Sequence, residues 1–139
     1  MPNINYTAVI ISTVVFMGLG FFWYGFLFSK PWTKLMGWDL SDKKKMKEMQ
    51  QSAGPAYMVS FFGCLFEALL LAYLFNKLHT TAYVNNIWIA IILWLGVQVP
   101  ATLTTAMFNK KPLGLWAIDT SYQLAGLIIS AAIITSMLA

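Results

Sequence analysis

Three observations predict an all-α integral membrane protein, a four-helix bundle with a short amphipathic cytoplasmic helical segment between helices one and two. Four apolar runs are each long enough to cross about 30 Å of hydrocarbon, which takes roughly 20 residues at 1.5 Å rise each. Hydrophobic residues make up 59% of the chain and charged ones 10%, too few to cover a soluble domain. All nine basic residues are lysines, and they are confined almost entirely to two of the connections between runs. The spans are expected at about residues 6–28, 57–78, 84–108 and 113–138 of one transmembrane domain, residues 1–139, which leaves no room for a soluble one.

The first run, Tyr6 to Phe28, is expected to stay as a helix. No Lys or Arg precedes Lys30, and the stretch is longer than the apolar region of a cleaved signal. The segment that follows, residues 29–53, is the one long connection. Pro31 can open a short helix with Trp32, Leu35 and Met36 on one face, ended by Gly37. Ser41 can cap a second, with Met46, Met49 and Ala53 on one side and Lys43, Lys44 and Lys47 on the other, and Gly54-Pro55 is predicted to break it. With Lys45 these lysines form a run suited to anionic lipid headgroups, while Trp32, Trp38 and Trp116 read as interfacial anchors. The short connections at 77–83 and 109–112 make helices two and three, and three and four, antiparallel neighbours.

Eight lysines fall between runs one and two or three and four, and only Lys77 lies on the other side. The positive-inside rule then places both lysine-bearing loops in the cytoplasm and both termini outside, in a multi-pass protein of the cytoplasmic (inner) membrane. A net charge of +4 is explained by that topology and by anionic lipid, so no nucleic-acid partner is expected. One cysteine, Cys64, and one histidine, His79, exclude a disulfide within the chain, a dithiol relay and a Cys/His metal cage. No cofactor and no metal are expected.

Counting 1.5 Å per residue from the cytoplasmic ends sorts the intramembrane polar groups by depth. Asp119 and Thr102 lie about 9 Å in and Tyr24 about 6 Å, while Glu67, Gln98 and Gln123 all lie about 15 Å in. Two polar layers are therefore expected. Asp119, Tyr122, Gln123, Gly126 and Ser130 share one helix face, as do Gln98, Ala101, Thr102, Thr105 and Asn109, and the small residues in each stripe predict close helix approach. Pro100 removes the hydrogen bond to the Gly96 carbonyl and should bend helix three beside Gln98. An acid at such depth costs at least about 2.5 kcal/mol if uncompensated. Asp119 is thus expected to face the bundle, near donors such as Tyr24, Trp23, Thr102 or Thr105, or to carry a proton.

An internal echo links the two halves. Helix one ends in Phe28-Ser29-Lys30-Pro31 and helix three in Phe108-Asn109-Lys110-Lys111-Pro112, and the helix after each carries one acid, Glu67 or Asp119. Parallel helical hairpins or chance similarity between apolar helices would each produce it. The stretches Trp23-Tyr24-Gly25-Phe26-Leu27-Phe28-Ser29-Lys30-Pro31-Trp32-Thr33-Lys34-Leu35-Met36-Gly37 and Leu115-Trp116-Ala117-Ile118-Asp119-Thr120-Ser121-Tyr122 resemble the bacterial membrane-protein family called domain of unknown function 1761, in order and spacing over nearly the whole chain. The resemblance implies the four-helix membrane fold and no activity.

Two functions compete on this reading. One is an oligomeric transport- or channel-like protein in which Glu67 and Asp119 bind a proton or cation, with Tyr24, Gln98, Thr102, Thr105, Tyr122 and Gln123 in the polar network. The other is a non-catalytic accessory protein whose polar layers only fix packing and homo-oligomerisation. An enzyme is not expected: there is no serine or cysteine with a histidine partner, no metal set and no phosphate loop, so no catalytic residue is assigned.

Overall fold

Asn5 starts the first helix by accepting the Ala8 N–H at 3.2 Å, and its own amide donates to the Met137 carbonyl at 3.0 Å, which ties the two ends of the chain's membrane domain together. The computed structural model describes residues 4–35 and 43–138. Helix α1 runs Tyr6–Phe22 and passes into a π-helical turn, Trp23–Leu27; α2 is Ser29–Leu35. Helix α3 is Lys43–Lys77, α4 is Tyr83–Leu93, a second π-helical turn covers Trp94–Gln98, α5 is Val99–Phe108 and α6 is Leu113–Ser136. The described chain is all-α, and four stretches are long and apolar enough to cross a membrane: Tyr6–Leu27, Gly54–Lys77, Tyr83–Phe108 and Leu113–Ser136.

One expectation about the long connection is corrected. Gly54-Pro55 does not break the helix, because α3 carries Pro55 in its interior. Proline there removes one donor and crowds the carbonyl a turn earlier, at about 3 kcal/mol. The apolar stretch beyond it must satisfy every main-chain group within the helix, and that cooperative bonding outweighs one lost bond. Gly37, Ser41 and the anchor Trp38 lie outside the described residues, as do the side chains of Trp32 and Lys45. Lys43, Lys44 and Lys47 are exposed.

The expected irregularity beside Gln98 takes a specific form. Pro100 cannot donate to Gly96, and the turn before it widens so that the Val99 N–H reaches back to the Trp94 carbonyl. Helix one widens in the same way where the Phe28 N–H bonds the Trp23 carbonyl at 2.8 Å. Both turns begin with Trp-x-Gly, in Trp23-Tyr24-Gly25 and Trp94-Leu95-Gly96.

The tight connections close by one device. After α3, Thr80 N–H bonds the Phe75 carbonyl and His79 N–H the Asn76 carbonyl; after α5, Lys111 N–H bonds Ala106 and Lys110 N–H bonds Met107. His79 and Lys110 sit at φ 52° and 55°, the left-handed position that this helix end requires.

Helix α6 is the hub and packs against α1, α3, α4 and α5, while α1 also packs against α3. Helices α3 and α4 share a short connection, yet each approaches α6 more closely than it approaches the other. The half of the bundle near the termini is filled by Val9, Phe16, Leu71, Phe75, Ala131 and Ile134, all essentially buried. Phe16 packs edge-on to Tyr122 at 5.3 Å between ring centres, and Gly126 lets it lie directly on the α6 backbone. Large apolar side chains such as Ile10, Val14, Phe66, Ile92 and Val97 are exposed, the surface a hydrocarbon solvent calls for. The other half of the bundle, near the lysine-rich connections, stays open.

Candidate functional site

The open half is a cavity of about 990 Å³. Its walls are α1 and the first π-helical turn, the beginning of the apolar part of α3, α5, and the first half of α6. It exists because α3 and α5 lean on α6 and not on each other. Two polar layers meet its surface.

The first layer centres on Asp119, half-buried on α6 and lining the cavity. The Tyr24 hydroxyl donates to Asp119 Oδ1 at 2.7 Å, an ordinary length for a hydroxyl-to-carboxyl bond. The expectation that Asp119 points inward to a donor from helix one or three therefore matches the geometry. The other candidate donors go elsewhere. Thr105 Oγ1 donates to Ala101 O at 3.0 Å and Thr102 Oγ1 to Gln98 O at 2.6 Å, each back along its own helix. The Trp23 indole donates to the Ile118 carbonyl at 3.2 Å, and the Trp94 indole to the Thr120 carbonyl at 2.9 Å. Two indoles, each opening a π-helical turn, thus grip α6 on either side of Asp119. The widened turns supply the rotation that directs them, which explains why both spans accept an irregular backbone at this place.

The second layer centres on Glu67 of α3. Gln98 Nε2 donates to Glu67 Oε1 at 3.2 Å. Gln123 faces the same carboxylate, and only the orientation that presents its nitrogen puts donor against acceptor; it then lies 3.1 Å from Oε1 and 3.3 Å from Oε2. Three helices, α3, the turn before α5, and α6, meet on one acid, as their equal depths require. Both amides also line the large cavity, whereas Glu67, half-buried, lines a separate groove of about 90 Å³ with Gln98 and the apolar side chains of Leu71, Leu93, Leu127 and the exposed Leu70 and Val97. The amides therefore stand between the cavity and the carboxylate. Cys64, three residues before Glu67 on α3, is buried, and the Tyr122 hydroxyl donates to the Phe16 carbonyl at 2.8 Å.

The stripe on helix three is corrected in one respect. Ala101, Thr102 and Thr105 do not form a close helix seam; they are exposed and form the cavity wall. Trp116, expected as an interfacial anchor, is half-buried on that wall, and its indole donates to Thr102 Oγ1 at 3.0 Å. Thr102 donates on to the Gln98 carbonyl, so bonds run from the Trp116 indole through Thr102 to the main chain of Gln98, the residue whose amide holds Glu67. Gly126 is buried against Phe16 of α1, and Ser130, one turn on, is buried too, as their spacing predicts.

A third polar group escaped sequence reasoning. Asn86 is fully buried, and its Nδ2 donates to Thr135 Oγ1 at 2.7 Å. Its position three residues after the start of α4 reads as interfacial in sequence, and only the pairing of α4 with α6 buries it. Trp94 was equally hidden. An axial count puts it about 21 Å from Phe108 and Thr120 about 10 Å from Leu113, so depth alone does not pair them.

No curated protein and no solved structure gives a significant match to this chain. A family model described as protein of unknown function (DUF1761) matches residues 7–135, and the chain belongs to that family.

Proposed function

We propose that this member of the DUF1761 family is a polytopic membrane protein with a transport- or channel-like activity, in which Asp119 binds a proton or cation. One observation carries the reading: an intramembrane carboxylate lies on the wall of a large cavity, close to the lysine-rich end of the bundle. A carboxylate that served only to join helices gains nothing from a cavity beside it, and a cavity gains a solvent-reachable charge. Past Asp119, the Gln98 and Gln123 amides separate the cavity from Glu67, so they are placed to gate a second acid. Beyond Glu67 the interior is closed by the buried side chains of Leu71, Phe75 and Phe16, packed with the small polar residues Ser12 and Thr13. A continuous route therefore needs a rearrangement or a second copy, and we take the working unit to be a homo-oligomer. By the positive-inside rule the cavity end is cytoplasmic, the termini are outside, and Lys43, Lys44 and Lys47 rest on anionic headgroups.

A second reading has its own support. Glu67 held by two amides, and Asn86 by Thr135, is what an accessory protein would use to fix helix packing. Flux separates the two. In proteoliposomes with an entrapped pH-sensitive dye, or loaded for cation exchange, the wild-type protein is expected to dissipate an imposed gradient and Asp119→Asn to fall to the level of empty liposomes while eluting with the same apparent size. Equal flux in both, or none in either, favours packing.

A further inference from the structure

We propose that the cavity beside Asp119 is a binding site for a lipophilic organic monocation, of the quaternary ammonium or tetraarylphosphonium class. The proposal rests on the reading of Asp119 as a cation site and names the kind of cation. Its first support is the wall itself. Phe21, Tyr24, Tyr57, Trp116 and Tyr122 bring five aromatic rings to the space that Asp119 lines. Aromatic faces attract a diffuse cation, most strongly where water is displaced, and they offer little to a small hydrated ion.

Size and donor set point the same way. A cavity of about 990 Å³ is the volume of a site for an organic ligand, and far exceeds what one metal ion fills. A hard divalent ion takes six or more oxygens at about 2.0 to 2.6 Å. Among the described residues no three Asp, Glu, His or Cys side chains converge. Asp119 is the one acid on the wall, and Lys111 lines it as well. Among the described lining residues the negative charge is that of a single carboxylate, too little to hold a divalent ion, and Lys111 at the lysine-rich end opposes one further.

Access is the third support. The space lies between α3 and α5, two helices that do not close on each other, within the spans that lie in hydrocarbon. Lipophilic cations partition into that layer and hydrated metal ions do not. Charge complementarity at Asp119 distinguishes such a ligand from the two other occupants an open groove admits, a phospholipid acyl chain and a second copy of this chain.

The test is binding of radiolabelled tetraphenylphosphonium to the full-length protein in nanodiscs of zwitterionic lipid, with triphenylphosphine oxide as the neutral competitor of similar shape. Saturable binding of one ion per chain is expected, weakened at least about tenfold in Asp119→Asn and several-fold in Trp116→Leu and Tyr57→Leu. The phosphine oxide should compete at least about tenfold less well, and exchanging sodium for potassium should change nothing. Phosphonium binding equalled by the phosphine oxide and retained in Asp119→Asn would show an acyl-chain groove and overturn the proposal. So would binding lost as the protein associates at higher concentration, which would place a second copy in the cavity. If phosphonium fails to bind while sodium, potassium or protons still give an Asp119-dependent flux, this inference falls and the reading of Asp119 stands. If Asp119→Asn alters neither phosphonium binding nor flux, both fall. The two wall variants decide the matter if Asp119→Asn does not fold: full binding in both would equally overturn the aromatic site.

Discussion

Gly126→Ala is expected to destabilise the protein by about 3 kcal/mol, more than any other single methyl group added to the bundle. A Cβ at this position would clash with the Cε1 and Cζ atoms of the Phe16 ring. Phe16 has nowhere to go, since it is 1% exposed and packs edge-on against Tyr122. The α1 and α6 backbones would have to part, and with them the Tyr122 bond to the Phe16 carbonyl and the two indole bonds from Trp23 and Trp94 that need α6 in place. Thermal unfolding in a fixed detergent measures the loss. Shrinking the ring should return part of it, so Gly126→Ala with Phe16→Leu should be more stable than Gly126→Ala alone. A wild-type melting temperature for Gly126→Ala would mean that α1 and α6 do not approach so closely.

The second large effect concerns the deeper layer. Gln98→Leu combined with Gln123→Leu should cost about 3 to 5 kcal/mol, because Glu67 would lose both amide donors in surroundings of leucine and valine. Adding Glu67→Leu should recover most of that, since a polar network removed whole leaves no unpaired group. Glu67→Gln should change stability little, because an amide can accept from one glutamine and donate to the other after a rotation. Retained stability in the double leucine variant would mean that the amides do not hold the acid.

Much of this arrangement was legible in the sequence because hydrocarbon permits so few solutions. Four apolar runs must be helices, and a carboxylate inside one must find a donor, so equal axial depth brought Glu67, Gln98 and Gln123 together on paper as they are in space. Small-residue spacing likewise gave the Gly126 contact. The rest depends on which helices lean on which, and a period of 3.6 residues does not encode that. Thr102 and Thr105 share a polar face whether that face meets a helix or a cavity, and only the splay of α3 from α5 decides it. The indole bonds of Trp23 and Trp94 need π-helical turns, which rotate side chains off the register that sequence periodicity assumes. Pro55 misled for the opposite reason: proline ends helices in water, where loops are cheap, and does so less readily next to a long membrane span.

On the proposed function Asp119 is reached from the lysine-rich end through the cavity, and the Gln98 and Gln123 amides separate that cavity from Glu67. Cysteine accessibility distinguishes the two acids. In a Cys64→Ala background, which leaves no other thiol, Asp119→Cys and Glu67→Cys are each placed in sealed vesicles of known orientation and treated with a charged, membrane-impermeant methanethiosulfonate. Fast modification of Asp119→Cys is expected from the side bearing Lys110 and Lys111, with none from the other side and protection of Glu67→Cys from both. Protection of Asp119→Cys from both sides, or modification of Glu67→Cys as fast as Asp119→Cys, would contradict this reading.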